Sequence, residues 1–504
     1  MPEEVGERYD HFIITSPPLS ILALGTYLDA KGVDVRIIDM ELDYGLPLSE
    51  NGEKHLIRRF IDDISLDKID WIGFTTTTPD HCQASLNLSE VVKDTDPDIP
   101  IIFGGYHATI NAEELLKRYA CIDAIVTGEG ERASLNIHGR IVNGQSISTP
   151  KIKNLAFRND GNVVFSEREP LIDLSEIPPL KFDLLDNIDK YIIVSLLSSR
   201  GCPFNCGYCV EKAMRSRHRF EPFEKIVQQI ETMQELNSAR NMIIQDPLFG
   251  LNAKRIRKIY KAIKDGGYSF GYETRADVLP ASMIPEIRDA GGEVMFLGLE
   301  SASMNTLLRM NKFSGEDRYE RYITNAKKVL DMSFKHDITP MLSIMLGYPG
   351  DTIEDLNTTV NFLNTLLENH KKHFPCEDDG VGLIIYPHVV SIIPQSQIFY
   401  QLEEYKKKGL SYSDGGLFRF TKVNNPSSSL NSSTVLNYLN EVKKLSMITP
   451  TMMDRMMRLM WCDLKKMLDI NSELSEDDCI LTGRAYQEYN ENNEKLLNAN
   501  LINN

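Results

Sequence analysis

Ser198-Ser199-Arg200-Gly201-Cys202-Pro203-Phe204-Asn205-Cys206-Gly207-Tyr208-Cys209 places three cysteines within eight residues, spaced C-x3-C-x2-C. The stretch follows the apolar run Tyr191-Ile192-Ile193-Val194-Ser195-Leu196-Leu197, which reads as a buried strand. The cysteines therefore fall on the loop at the C-terminal end of that strand. Three thiolates this close together suit three corners of an iron–sulfur cluster. A four-iron cluster held at three corners leaves one iron open to a small molecule. Zinc sites usually draw on two cysteine pairs, and the chain has no second C-x2-C pair. A zinc knuckle or three unrelated core cysteines are the plainer alternatives.

Beyond the cysteines, residues 191–400 alternate strand and helix at intervals suited to a parallel barrel. Six strand cores stand out: Ile193, Ile243-Ile244, Tyr272-Glu273, Met295-Phe296-Leu297, Met341–Met345 and Leu383-Ile384-Ile385. Six repeats are too few for the closed eight-stranded form. Polar residues at the carboxyl ends of such strands face the cavity. Here these are Asp246, Glu273, Arg275, Glu300 and the segment Gly347-Tyr348-Pro349-Gly350-Asp351-Thr352.

Ahead of the cysteines, residues 1–145 alternate short apolar runs with helical patterns. Phe12–Thr15, Val35–Asp39, Trp71–Thr75, Ile101–Gly105 and Ala124–Gly128 read as strands, and Pro18–Leu28 opens a helix. The pattern is that of a doubly wound α/β sheet, whose ligands sit past the carboxyl ends of the strands. Thr75–Thr78, Gly104–Thr109 and Gly128–Glu131 fall there. Residues 146–190 form a linker, with a hairpin turn at Asn159-Asp160-Gly161-Asn162. Residues 401–504 read as a helical C-terminal region ending in an asparagine-rich, disordered tail.

The 504 residues are too many for one ordinary core, and the formal charge of −17 argues against nucleic acid as a partner. Arg215, Arg217, His218 and Arg219 form one local basic cluster, read as lying near a cofactor or on a solvated face. Eight cysteines without regular pairing, no signal peptide and no long apolar span point to a reducing cytoplasm.

The segment from Arg200 to Cys209, with Tyr208 before the third cysteine, resembles the signature of the radical S-adenosylmethionine (SAM) enzymes. The resemblance implies a 4Fe-4S cluster on Cys202, Cys206 and Cys209, whose open iron chelates the amino and carboxylate groups of SAM. An electron from the cluster would then cleave SAM to a 5′-deoxyadenosyl radical that abstracts hydrogen. It further implies that Arg275 and Glu300, with Tyr208 and Asp246, hold SAM. A guanidinium pairs with carboxylate, and a carboxylate accepts from hydroxyl or ammonium groups. A simple ion pair between Arg275 and Glu300 at the barrel mouth is the structural alternative. Pro394-Gln395-Ser396 replaces the common Pro-Gly-Thr ending of the last strand, read as a reshaped substrate pocket.

Pro17-Pro18-Leu19-Ser20, Gly104-Gly105-Tyr106-His107-Ala108-Thr109 and Gly128-Glu129-Gly130-Glu131, in that order ahead of the cysteines, resemble the cobalamin-binding domain of one branch of that family. The branch is the B12-dependent one, class B methyltransferase-like. The resemblance implies a corrinoid lying flat across the strand ends and facing the cluster. Its contacts would be Thr76, Thr77, Gly104, Gly105, Thr109, Gly128 and Glu129. The D-x-H-x-x-G motif is absent, so His107 is read as a satisfied loop histidine and not a cobalt ligand. About sixteen residues precede Pro17, so a short or missing first strand is expected.

The other cysteines, Cys82, Cys121, Cys376, Cys462 and Cys479, are isolated and read as free thiols; Cys376 is the first candidate for a hydrogen donor. Met452, Met453, Met456, Met457 and Met460 recur at helical spacing and read as a packed face. The expected enzyme joins a Rossmann-like cobalamin-binding domain to a partial (β/α)6 radical SAM barrel. By resemblance it methylates an unactivated carbon or phosphorus of a small-molecule, lipid or peptide substrate, with an electron donor such as flavodoxin or ferredoxin. Methylcobalamin would give the methyl group and a second SAM would replenish it. One rival is a non-methylating radical SAM enzyme of rearrangement, cyclisation or carbon–carbon coupling, with a vestigial or differently used first domain. Another is a structural or electron-transfer iron–sulfur protein.

Overall fold

Two largely parallel sheets organise the chain, and the cysteine loop lies where their loops meet. The computed structural model describes residues 16–455, except 45–49, 216, 376–379, 414–416, 418–420, 448, 450 and 453–454. In the first sheet, β1 (Ile72–Thr75), β2 (Ile101–Gly104) and β3 (Ala124–Val126) run parallel. The hairpin of β4 (Leu155–Asn159) and β5 (Asn162–Phe165) continues that sheet antiparallel, in the order β1-β2-β3-β4-β5. Its two-residue turn has positive φ at Asp160 (49°) and Gly161 (78°), the geometry that Asp-Gly turns favour. Both faces of the sheet are covered. Ile101 and Phe103 of β2 pack with Leu86 and Val92 of the helix Pro79–Thr95 and with Leu115 of the helix Ala112–Arg118. Ile102 packs with Ala133 and Ile137 of the helix Glu131–Val142. Apolar residues on successive positions are what burial on both faces demands.

The strand expected at Val35–Asp39 is not one. Only an isolated bridge joins Ile37 to Leu185. Ile37 is buried against Gly25 of the helix Leu19–Asp29, where a Cβ would come within 2.7 Å of its side chain. Packing against a helix satisfies the apolar pattern there without a ladder. The strand expected at Phe12–Thr15 lies outside the described residues.

The second sheet follows in the chain. After β6 (Val194–Leu196) comes a small antiparallel pair, β7 (Ser199–Arg200) with β8 (Arg219–Phe220). Then come β9 (Asn241–Ile244), β10 (Ser269–Arg275), β11 (Gly292–Glu300), β12 (Thr339–Leu346) and β13 (Ile384–Val389). The parallel order is β6-β9-β10-β11-β12-β13, and each strand begins at or beside a core expected from the sequence. Helices Phe223–Leu236, Ala253–Asp265, Ile284–Asp289, Tyr319–Lys335 and Ile353–His373 precede β9 to β13 in turn. The last begins with a capping box, Thr352 with Asp355, and buries Leu356, Val360, Leu363 and Leu366 along one face. Near its end the buried ring of His370 meets Phe334 edge-on at 4.9 Å and lies 5.0 Å from Phe374.

The helical region after residue 400 also carries a small antiparallel sheet that the sequence reading does not anticipate. The sheet is formed by β14 (Ser391–Ile392), β15 (Ser411–Ser413) and β16 (Thr421–Asn425), in the order β14-β16-β15. Strands of two to five residues carry too few alternations to betray their period. Helices Leu402–Lys407 and Ser432–Lys443 accompany them. Leu417, between β15 and β16, is buried in the first domain's core with Phe60, Leu86 and Phe103. The methionine face from Met453 onward, the C-terminal tail, Cys376, Cys462 and Cys479 lie outside the described residues. No helix among the described residues is long and apolar enough to cross a membrane.

Candidate active site

The chain leaves β6 at Leu196 and must turn sharply to present its cysteines at the strand ends. Asp246, just past β9, fixes that turn. Its carboxylate accepts from the Ser198 and Ser199 backbone N–H groups (2.6 and 3.1 Å) and from both hydroxyls (2.6 Å each). Burial raises its pKa to about 6, against the lowering effect of those four bonds. Asp246 is thereby corrected from a cofactor contact to a clamp on the loop, since its acceptor positions are filled. Gly201 has φ +81°, and a side chain there would run into the Arg217 carbonyl. Gly207 donates its N–H to the Met310 carbonyl (2.8 Å) and accepts from the Ile398 N–H (3.0 Å). A Cβ at Gly207 would stand 2.6 Å from Tyr348 Oη.

The loop carries Cys202 and Cys206 half-buried and Cys209 exposed. Arg275 Nη1 donates to Cys206 Sγ at 3.1 Å, and the Glu211 N–H donates to Cys209 Sγ at 3.4 Å. Burial pushes the Cys202 thiol up and that of Cys209 to about 12, and the neighbouring cysteines add to both shifts. Three soft thiols with N–H donors aimed at two of them fit a 4Fe-4S cluster.

Arg275 and Glu300 do not pair with each other, which corrects the ion-pair alternative. Arg275 chelates Asp277 (2.9 and 3.1 Å), donates to the Lys312 carbonyl (2.5 Å) and lies 3.7 Å above the Phe204 ring. Glu300 ends β11 at φ +69°, beyond a register shift after Gly298. Its buried carboxylate accepts from Tyr208 Oη (3.0 Å), Ser343 Oγ (2.8 Å) and Lys312 Nζ (3.2 Å). Burial alone would raise its pKa, but Lys312, Ser343 and nearby His388 hold it below the usual value. The two residues thus flank the cysteine loop, Arg275 through Phe204 and Cys206, Glu300 through Tyr208. Lys312, Ser343 and Asp277 were not singled out from the sequence. Lys312 follows a helix end in Arg309-Met310-Asn311-Lys312, where a lone lysine has no period to mark it. Further into the barrel, Gln245, Glu273 and Tyr386 are exposed. Burial and the charge of Glu300 push the Glu273 carboxyl up.

Across the mouth lie the strand-end loops of the first sheet. Thr76, expected as a ligand contact, is buried: its hydroxyl donates to the Gly104 carbonyl (3.0 Å) and accepts from the Ala108 N–H (3.1 Å). Gly105, at φ +90°, presses on the Thr76 backbone, where a Cβ would come within 2.6 Å. Thr109 accepts from the Gly128 N–H (3.1 Å). Thr76 and Thr109 therefore stitch the loops together, while Thr77 is exposed and Gly104 and Gly105 are half-open. That open floor of small and hydroxyl-bearing residues fits a broad, flat cofactor such as a corrin. His107 is buried, hydrogen-bonded to the Leu417 backbone, with burial lowering its pKa.

Glu129 faces elsewhere. It is bound at both oxygens by Arg219, with Arg215 at 3.6 Å and Arg200 at 3.7 Å. Glu131 meets Arg200 at 2.6 Å. Arg200 immediately precedes the cysteine loop, and Arg215 and Arg219 follow it. Glu129 is thus corrected from a cofactor contact to a member of a buried ion network between the two sheets. Of the basic cluster, Arg215 and Arg219 neutralise that interface beside the cysteine loop, and Arg217 is exposed. Tyr106 Oη donates to Glu211 and accepts from Arg215 (2.7 Å). Gln395 donates to the carbonyls of Thr109 (3.3 Å) and Ile110 (3.2 Å), so the altered segment after β13 is a contact between the domains.

Residues 196–363 match the radical SAM superfamily, and residues 14–137 match the B12 binding domain. An uncharacterised methyltransferase of Pyrococcus horikoshii is 27% identical over 361 residues, 70% of this chain and 74% of that protein. The anaerobic magnesium-protoporphyrin IX monomethyl ester cyclase of Rubrivivax gelatinosus is 29% identical over 358 residues, 68% of this chain and 61% of the cyclase. The solved radical SAM methyltransferase TsrM of Kitasatospora setae, with tryptophan and a SAM analogue bound, superposes with a TM-score of 0.64. It shares 14% identity, over 87% of each chain, a likeness of fold.

Proposed function

The chain is a radical SAM protein with a B12-binding domain ahead of its barrel, and from that premise we propose that it methylates an unactivated carbon or phosphorus of its substrate. Bound together, the 4Fe-4S cluster, SAM and cobalamin supply a hydrogen-abstracting radical and a methyl group. Cys202, Cys206 and Cys209 hold the cluster, while Arg275 steadies Cys206 and keeps water off it with Phe204. Glu300, fixed by Lys312, Ser343 and Tyr208, presents a charged carboxylate to the hydroxyl or ammonium groups of SAM. Thr77, Gly104, Gly105 and Gly128 form the floor for the corrin. Gln245, Glu273, Tyr386 and His388 line the space left for substrate between them.

The proposed division is residues 1–145 for cobalamin, 146–190 as a linker whose hairpin extends the first sheet, 191–400 for radical chemistry and 401–504 for the C-terminal region. The substrate is a small molecule, lipid or peptide, a flavodoxin or ferredoxin supplies electrons, and the cytoplasm is the setting. One observation carries the reading: the strand-end loops of the first sheet touch the cysteine loop directly, Tyr106 at Glu211 and Glu131 at Arg200. Cofactors on the two domains would therefore face each other across a shared cavity.

The test is anaerobically reconstituted protein given SAM and dithionite, with and without hydroxocobalamin. Formation of 5′-deoxyadenosine, together with cobalamin-dependent S-adenosylhomocysteine, is the expected result. A protein with an intact cluster that forms neither would count against it. The similarity to a cyclase favours one second reading, radical cyclisation without methyl transfer. It predicts 5′-deoxyadenosine alone, even once the substrate is supplied.

A further inference from the structure

We propose that Tyr106 is a positioning residue for the iron–sulfur cluster, acting from the other domain through Glu211 on Cys209. The inference rests on the cluster reading above. Tyr106 lies in the first turn of the short helix Gly105–Ile110 that follows β2, beside the glycines of the proposed corrin floor. Its hydroxyl donates to the Glu211 carboxylate and accepts from Arg215 at 2.7 Å. The Arg215 guanidinium also lies 5.6 Å from the centre of the Tyr106 ring and 3.3 Å from Glu211 Oε1. Glu211 begins the short helix Glu211–Met214, and its backbone N–H points at Cys209 Sγ, 3.4 Å away. One hydroxyl of the first domain thus anchors the side chain of the residue whose amide meets a cluster sulfur.

Two physical effects follow, with the same sign. An N–H group aimed at a ligand sulfur stabilises the reduced, more negative cluster. The Tyr106 hydroxyl also disperses the negative charge of Glu211, which would otherwise oppose addition of an electron. Removing the hydroxyl loosens the turn and leaves the charge of Glu211 less dispersed, so both effects make the cluster harder to reduce. Neutralising Glu211 itself, with its amide still in place, does the reverse. By the same contacts, a ligand that shifts the helix Gly105–Ile110 shifts the cluster too.

The measurement is the midpoint potential of the one-electron reduction, followed by EPR on reconstituted full-length protein without cobalamin. Tyr106→Phe is expected to take up iron as the parent does and to be reduced at a lower potential. Glu211→Gln is expected to move to a higher potential. A Tyr106→Phe chain whose potential and EPR spectrum equal those of the parent overturns the proposal. Should that variant fail to take up iron, Tyr106 is a folding residue and the proposal is equally lost. An unshifted Glu211→Gln chain overturns the charge part by itself. If the parent loads no four-iron cluster at all, the functional reading falls and this inference falls with it, a result distinct from the others.

Discussion

Glu300 concentrates the chemistry of the barrel mouth in one side chain. It accepts three hydrogen bonds, one of them from a buried lysine, so its charge is held in place at the edge of the cavity. Replacing it by Gln keeps the shape, removes the charge and leaves Lys312 buried beside a neutral amide. Charged hydrogen bonds are worth about 1.5–3 kcal/mol each, so Glu300→Gln should weaken SAM binding by roughly tenfold or more. Iron content should stay the same. Equilibrium binding of SAM, read from its effect on the cluster EPR signal, checks this; unchanged affinity would remove Glu300 from the SAM site. His370 makes a separate prediction about stability. Burial, with a smaller contribution from His373, depresses its pKa from 6.5 to about 4. The fold therefore favours the neutral ring. Its contribution is complete above pH 6.5 and is lost as the pH falls towards 4, on the order of 3 kcal/mol. His370→Phe should flatten the fall in denaturation midpoint between pH 7 and pH 4.5. An equal fall in parent and variant would mean that this ring does not titrate with unfolding.

At the level of elements, the cysteine loop depends on two glycines as much as on its thiols. Gly207 sits against Tyr348 with no room for a methyl group, and both its backbone groups are bonded. Gly207→Ala should abolish or sharply reduce iron uptake while the far-ultraviolet circular dichroism stays near that of the parent. Full iron loading in that variant would show that the loop can yield. These elements also show how far the sequence could be read. The six barrel strands were legible because each is a short apolar run bounded by turns, and the cysteines because their spacing has few other meanings. Val35–Asp39 misled because an apolar run looks the same whether a strand or a helix covers it. Asp246 and Glu129 misled differently. Their places at strand ends were right, but whether a carboxylate meets a ligand or an arginine is decided by residues 48 to 90 positions away. Lys312 and Ser343 carried no spacing signal, since single polar residues acquire a role only when the barrel brings them to Glu300.

Across the whole molecule, the buried network of Glu129 and Glu131 with Arg200, Arg215 and Arg219 does more than close an interface. It surrounds the cysteine loop on both sides, so relative movement of the domains would be felt at the cluster. Glu129→Gln leaves Arg219 without its bidentate partner in a place only 6% exposed on the glutamate side. Breaking a buried pair from one side costs about 3–5 kcal/mol. The expected result is a lower denaturation midpoint, with the single transition splitting into two as the domains uncouple. A variant that melts like the parent would mean the remaining contacts hold the interface alone. Leu417 has a consequence for how the protein is made. The core that it completes is otherwise built from residues before about 160. A ribosome must add roughly 260 more residues after Ala156 before that side chain exists, on the order of 10–50 s at ordinary elongation rates. A domain that leaves the tunnel early is therefore finished late, and in that interval its unfilled core depends on whatever guards nascent chains.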